Sequence, residues 1–268
     1  MLSSLVHGPE DVLGVVGGMG PFASTEFLRT IYEQSSWKNE QEAPRVLLYS
    51  DPTFLDRTEV YRKGLDEQLL DQLVTALMRL RSLGASRLVI CCVTIHYLIP
   101  RVPSQLQSRL VSLIDVIFEE LSAIDQPHLL LCTSTTRALG IFEKHQQWPQ
   151  ARGLFILPED SDQREIHRMI YEIKQSQDVR QQILFVENLL AKYHVNTFIA
   201  GCTEIHLLAR HFATKADDRQ GRRCLDPLMS IARELTKRSV PAAAAATGTD
   251  ITAANTSGTA HMLSAVVK

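Results

Sequence analysis

A chain of 268 residues with 28 basic and 30 acidic side chains and a formal net charge of −2 carries no electrostatic footprint for nucleic acid or for an anionic membrane surface. No apolar run approaches the roughly 18 to 20 residues that span a bilayer, and Met1 to Ser4 lead into Glu10 and Asp11 rather than into a basic and then apolar leader, so the expectation is a soluble, cytoplasmic protein. Five cysteines, at 91, 92, 132, 202 and 224, form no CxxC pair and no zinc-type spacing, and their odd number in a chain of this length speaks against a disulfide scaffold.

Along the chain, Asp11 to Val16 reads as a short apolar strand, Gly17-Gly18-Met19-Gly20-Pro21 as a glycine turn, and Ala23 to Gln34 as a helix with Phe27, Leu28 and Ile31 on one stripe. Val46 to Ser50 predicts the next strand. A polar loop from Asp51 to Arg62 then leads to a long helix from Asp66 to Leu83, ended by Gly84. Arg87 to Cys92 reads as a third strand and, after Pro100 and Pro103, Gln105 to Ile124 as a helix.

The pattern then restarts. His128 to Cys132 is a strand, Thr133-Ser134-Thr135-Thr136 a hydroxyl-rich loop, and Thr136 to His145 a helix. Gly153 to Leu157 is another strand, Asp162 to Lys174 and Val179 to Tyr193 are helices, and Asn196 to Gly201 is the last core strand. Asp226 to Arg238 is a helix able to pack back on the first half. Strands alternating with helices at this spacing predict an α/β fold of two similar domains, each a mostly parallel sheet flanked by helices. The active site then lies in the cleft between them, at the carboxyl ends of the strands. Residues 1–121 with 225–240 form the first domain and 122–224 the second, and the Ala, Thr, Ser and Gly composition of 241–268 predicts a flexible tail.

Two cysteines, one in each half, close an apolar run and are followed by Thr and His: Cys92 within Leu88 to His96, and Cys202 within Phe198 to His206. A thiol between a strand end and a helix start faces free backbone N–H groups that stabilise a thiolate. Two such thiols facing one cleft suit the removal of a proton from one face of a carbon and its return on the other, which a single base does not achieve. An α-amino acid is the natural substrate class, its carboxylate held by backbone N–H groups and by the hydroxyls of Thr94, Thr133, Thr136 and Thr203. Arg57 reads either as a solvated loop charge or as a planar fork for a carboxylate. His96 and His206 read as packed histidines ahead of catalysts, and Glu204 as the candidate for tuning Cys202, in the direction of a raised thiol pKa. The glycine turn is not the GxGxxG fingerprint and there is no lysine-containing P-loop, so no nucleotide is expected.

Taken together, GGMGP at 17–21, DRT at 56–58, Cys-x-Thr-x-His at 92–96, LLxTxxT at 130–136 and GCTEI at 201–205 resemble the cofactor-independent aspartate/glutamate racemase family, nearest its aspartate racemase branch. The resemblance spans residues 11 to 238. It implies Cys92 and Cys202 as the catalytic pair, no cofactor (neither pyridoxal phosphate nor metal), and a homodimer. It also implies Arg57, helped by Lys174, as the site for the substrate's side-chain carboxylate. Met19 and Gly20 of the glycine turn, Val93, Thr94, Thr133, Thr136, Thr203 and Glu204 would complete the substrate site. Val93 departs from the family pattern, which has Asn after the first cysteine. The implied activity is racemisation of an acidic amino acid, L-aspartate to D-aspartate ahead of glutamate. The alternatives are a related decarboxylase or isomerase and a catalytically silent protein that binds an acidic metabolite.

Overall fold

A computed structural model describes residues 11–237 other than 36, 38, 177 and 215–223. Strand β1 (Val12–Gly17) is buried along its whole length, as a parallel strand covered on both faces must be. It pairs with β2 (Arg45–Ser50) on one side and β3 (Arg87–Ile90) on the other, and β4 (Leu110–Val111) follows β3, giving the parallel order β2-β1-β3-β4. In the second half β5 (His128–Leu131), β6 (Phe155–Ile156), β7 (Phe198–Ala200) and β8 (Cys224–Leu225) form the parallel order β6-β5-β7-β8. The two sheets are topological copies, so β3 and β7 hold equivalent places.

Helix α1 (Pro21–Gln34) begins with Gly20 as N-cap and Pro21 at its first position, where the missing N–H costs no hydrogen bond. The expected polar loop after β2 contains α2 (Arg57–Lys63). Asp56 caps it by accepting from the N–H groups of Thr58 and Glu59, and Gly64 closes it in the left-handed region at φ 67. Helix α3 (Asp66–Ser82) buries Leu69, Leu73, Leu77 and Leu80 on one stripe, with Asp66 and Glu67 in its first turn and Arg79 and Arg81 in its last, each charge matched to the helix dipole.

The single helix expected over 105–124 is instead α4 (Ser104–Gln107), strand β4, and α5 (Leu113–Leu121). Leu110 and Val111 pair with Leu88 and Val89, and Ser112 restarts the helix by capping Asp115 N. Helix α6 (Ser134–Ala138) also stops well short of the expected His145, because Gly140 turns left-handed at φ 59. After it come α7 (Trp148–Ala151), α8 (Asp160–Ile173), α9 (Arg180–Lys192), α10 (His206–Thr214) and α11 (Pro227–Lys237). Strand β8 follows what had read as the last core strand and belongs to the second sheet, so the expected domain limit at 224/225 runs through it; α11 then lies against α1 and α5 of the first half. The tail at 241–268 lies outside the described residues.

One apolar cluster holds Leu13, Val15 and Val89 of the first sheet together with Leu130 and Ile199 of the second. The halves therefore share a core. Separate clusters line the outer faces, one under α3 and one under α8 and α9. No helix among the described residues is long and apolar enough to cross a membrane.

Candidate active site

Cys92 sits two residues past β3. Cys91 N still bonds to Val16 O at 2.8 Å, Cys92 N turns back to Ile90 O at 2.8 Å, and a 3₁₀ turn runs over Thr94–Arg101. In the second half Gly201 N turns back to Ile199 O at 2.9 Å, and Cys202 precedes a 3₁₀ turn over Thr203–Ile205. A Cβ on residue 201 would stand 2.8 Å from both Cys132 Cβ and Leu130 Cδ1, so the chain approaches β5 too closely for anything but glycine. The strand ends of the two halves meet where Thr203 Oγ1 donates to Cys91 O at 3.2 Å. Cys92 is 5% exposed and Cys202 4%, and a charge on Cys92 is felt at both Cys202 and Arg57.

Cys202 Sγ donates to Glu204 Oε2 at 2.8 Å. Burial first, and the Glu204 carboxylate second, push this thiol well above its ordinary value, so Cys202 rests protonated. Thr203 Oγ1 also reaches Glu204 Oε2, at 3.4 Å.

Arg57 is 7% exposed. It donates to Met19 O at 2.7 Å and to Leu55 O at 3.0 Å, which anchors the guanidinium to the glycine turn. Burial alone would lower its pKa, yet the neighbouring Cys92, Asp56 and Glu204 charges raise it. Asp56 itself is lowered, because the Glu59 N–H, the Tyr171 hydroxyl and the Arg57 charge outweigh its burial. Tyr171 OH donates to Asp56 Oδ2 at 2.9 Å and lies 2.9 Å from Thr58 Oγ1, and Thr135 Oγ1 donates to Thr58 Oγ1 at 2.9 Å. Residues of the second half thus hold the capping residues of α2. Lys174, just past α8, places Nζ 4.1 Å from the Tyr171 ring centroid, and its charge acts on Asp56 and Cys202.

Three buried hydroxyls form a triangle. Thr136 Oγ1 lies 2.9 Å from both Thr94 and Thr133, and Thr94 lies 3.4 Å from Thr133. Thr133 also caps α6 by accepting from Thr136 N at 3.1 Å. Gly18, at φ 89, lies so close to Asp51 that a Cβ would be 2.3 Å from its carbonyl carbon; the turn presenting Met19 and Gly20 therefore requires glycine there.

Among the other candidates, Val93 is fully buried in the shared apolar cluster with Cys91, Leu113 and Cys132. His96 is a packed histidine. Its Nδ1 lies 2.8 Å from Cys92 O, its Nε2 accepts from Leu113 N at 3.1 Å, and burial lowers its pKa to about 4. His206 packs likewise, with Nδ1 2.6 Å from Asp226 Oδ2 and Nε2 3.0 Å from Thr30 Oγ1. Burial would lower its pKa, but the Asp226 charge raises it. Among the described residues no group of three or more His, Cys, Asp or Glu is placed to hold a metal ion.

A family model for Asp/Glu/hydantoin racemases matches residues 16–235. The chain belongs to this family. Among solved structures, the Picrophilus torridus aspartate racemase aligns with a TM-score of 0.71 and 22% identity, over 85% of this chain and 94% of that one. A putative Asp/Glu racemase from Yersinia pestis aligns at 0.58 and 23%, over 85% and 99%. The Klebsiella pneumoniae allantoin racemase aligns at 0.52 and 10%, over 85% and 86%. At these identities the likeness establishes the fold.

Within this racemase fold, the network that pins the start of α2, the helix that carries Arg57, is not evident from the sequence: Asp56, Thr58, Thr135 and Tyr171. A signal for two of them was present. Asp56-Arg57-Thr58-Glu59 has the spacing of a capping box, followed by Gly64 as a helix stop. The bonds from Tyr171 and Thr135 carry no sequence signal, since they come from the other half of the chain.

Proposed function

We propose that this chain is a cofactor-independent racemase of an acidic amino acid, aspartate ahead of glutamate, with Cys92 and Cys202 as its two proton carriers. The observation that carries the reading is the matched placement of two buried thiols just past β3 and β7, within electrostatic reach of each other, with Cys92 also in reach of Arg57. Because Cys202 rests as a thiol bonded to Glu204, Cys92 takes the role of first base. It removes the Cα proton from one face while Cys202 delivers its own proton to the other, and the reverse direction exchanges the two roles.

Two of the five N–H donors of Arg57 anchor it to Met19 and Leu55, which leaves the rest of the fork for the side-chain carboxylate, with Lys174 nearby. The Thr94, Thr133 and Thr136 hydroxyls suit the α-carboxylate, where charge develops as the carbanion forms. The dry setting strengthens each of these interactions.

The test is incubation of the pure protein with L-aspartate in D₂O, following loss of the Cα proton by NMR and the appearance of D-aspartate. Exchange with inversion supports the two-base reading, and exchange with retention leaves one working base. Exchange of a hydantoin or allantoin but not of aspartate would move the substrate elsewhere within the family. Binding of aspartate without any exchange would make the chain a silent acidic-metabolite binder.

A further inference from the structure

We propose that Glu204 is the receptor for the substrate's α-ammonium group, an assignment that rests on the amino-acid reading above. Glu204 is 2% exposed, and its Oε1 is buried with no hydrogen-bond partner. A carboxylate oxygen removed from water without a donor is costly, whereas Oε2 of the same group accepts from Cys202 Sγ. The unpaired oxygen is aimed at Gly20. A Cβ on residue 20 would lie 2.3 Å from Oε1, so the glycine is what lets the carboxylate stand there. Gly20 directly follows Met19, whose carbonyl anchors Arg57, and the Glu204 charge is felt at the guanidinium.

The site therefore carries one buried cation and one buried anion within electrostatic reach of each other, a pattern matched to a zwitterion with an additional carboxylate. The geometry also agrees with the chemistry. The ammonium nitrogen is bonded to the very carbon that Cys202 must reach, and Cys202 Sγ lies 2.8 Å from the Glu204 carboxylate. An N–H donor on Cα then falls beside Oε1 when the thiol faces Cα. Docking of the ammonium also offsets the negative charge that opposes ionisation of Cys202, so substrate binding and readiness of the second proton carrier are coupled.

Succinate, which has both carboxylates of aspartate and no ammonium, is the probe. Affinities for L-aspartate and succinate are measured by calorimetry on the wild type and on Glu204→Gln. The wild type is expected to favour aspartate by about tenfold to a hundredfold, the range of one charge-assisted hydrogen bond. Glu204→Gln should lose most of that preference through weaker aspartate binding, while succinate binds within about threefold of wild type or tighter, which also reports an intact site. Should Glu204→Gln not fold, Glu204→Asp keeps the charge and should retain a reduced preference for aspartate. A Gln variant that keeps the full preference and changes only the pH profile of turnover would overturn the ammonium assignment and leave Glu204 acting on Cys202 alone. A wild type that binds neither ligand would overturn the acidic amino-acid reading itself, and this inference with it.

Discussion

His96 offers a test whose sign and size both follow from its surroundings. The ring is fully buried, its Nδ1 faces Cys92 O and its Nε2 accepts from Leu113 N, so the folded protein holds it neutral with an N–H on Nδ1. A proton added at Nε2 would point at another N–H. Burial accordingly lowers the pKa from 6.5 to about 4. The folded value lies below the unfolded one, so the contribution to stability is fully present above pH 6.5 and is lost as pH falls toward 4. A difference of ~2.5 in pKa at 1.36 kcal/mol each amounts to about 3 kcal/mol. Urea unfolding of the wild type and of His96→Gln at several pH values between about 8 and 4 isolates this effect, because the shared carboxylates cancel in the difference. Gln cannot titrate but can accept and donate at the same site, so at pH 8 the variant should be weaker by roughly 1 to 2 kcal/mol. Its disadvantage should shrink as the pH falls below 6.5 and reverse between about pH 6 and 5. Parallel stability curves for the two proteins would refute the assignment of His96 as a buried neutral histidine.

Cys92→Ala and Cys202→Ala should each abolish the inversion of aspartate while keeping a cooperative unfolding transition, as judged by chiral chromatography and circular dichroism; either variant racemising at close to the wild-type rate would exclude the two-base scheme. Arg57→Lys should lower kcat/KM for aspartate roughly tenfold to a hundredfold, because a single ammonium cannot both span Met19 O and Leu55 O and bind a carboxylate in two-pronged fashion; unchanged kinetics would make Arg57 an anchor only. Val93→Asn should cost roughly 1 to 3 kcal/mol in stability, since the side chain is fully buried in an apolar cluster that offers an amide no partner, and an unshifted melting temperature would contradict that placement. Asp226→Asn, which strips His206 of its buried counter-charge, should cost about 3 to 5 kcal/mol at neutral pH. His206 is raised in the folded state, so the difference between wild type and variant should be full below its unfolded value near 6.5 and fade as pH rises through the folded value; a difference that grew rather than faded as the pH rises above 6.5 would show that the pair does not titrate as charged.

Much of the frame was legible in the sequence because it is local. β1, β3, β5 and β7 are short apolar runs closed by glycine or cysteine, and the restart of the pattern at His128 marked two alike halves. The two thiols could be placed at strand ends for the same reason. Elements whose existence depends on a distant partner were not legible. Strands β4 and β8 have two residues each, too short for any periodicity, and they form because β3 and β7 present open edges. Arg57 could be read as surface or site from its loop. Only the carbonyl of Met19, 38 residues away, decided that it is buried. His96 and His206 both follow a cysteine by four residues, a spacing that on a regular helix would turn them toward it. The chain is a 3₁₀ turn in one case and passes from a 3₁₀ turn into α10 in the other, and long-range bonds to Leu113 and Asp226 took up the rings. Glu204 shows the division within one side chain. Its closeness to Cys202 is a matter of two residues of sequence, whereas the unpaired Oε1 against Gly20 exists only because the second half of the chain packs on the first, a contact that hydrophobic burial across both halves creates and no local pattern encodes.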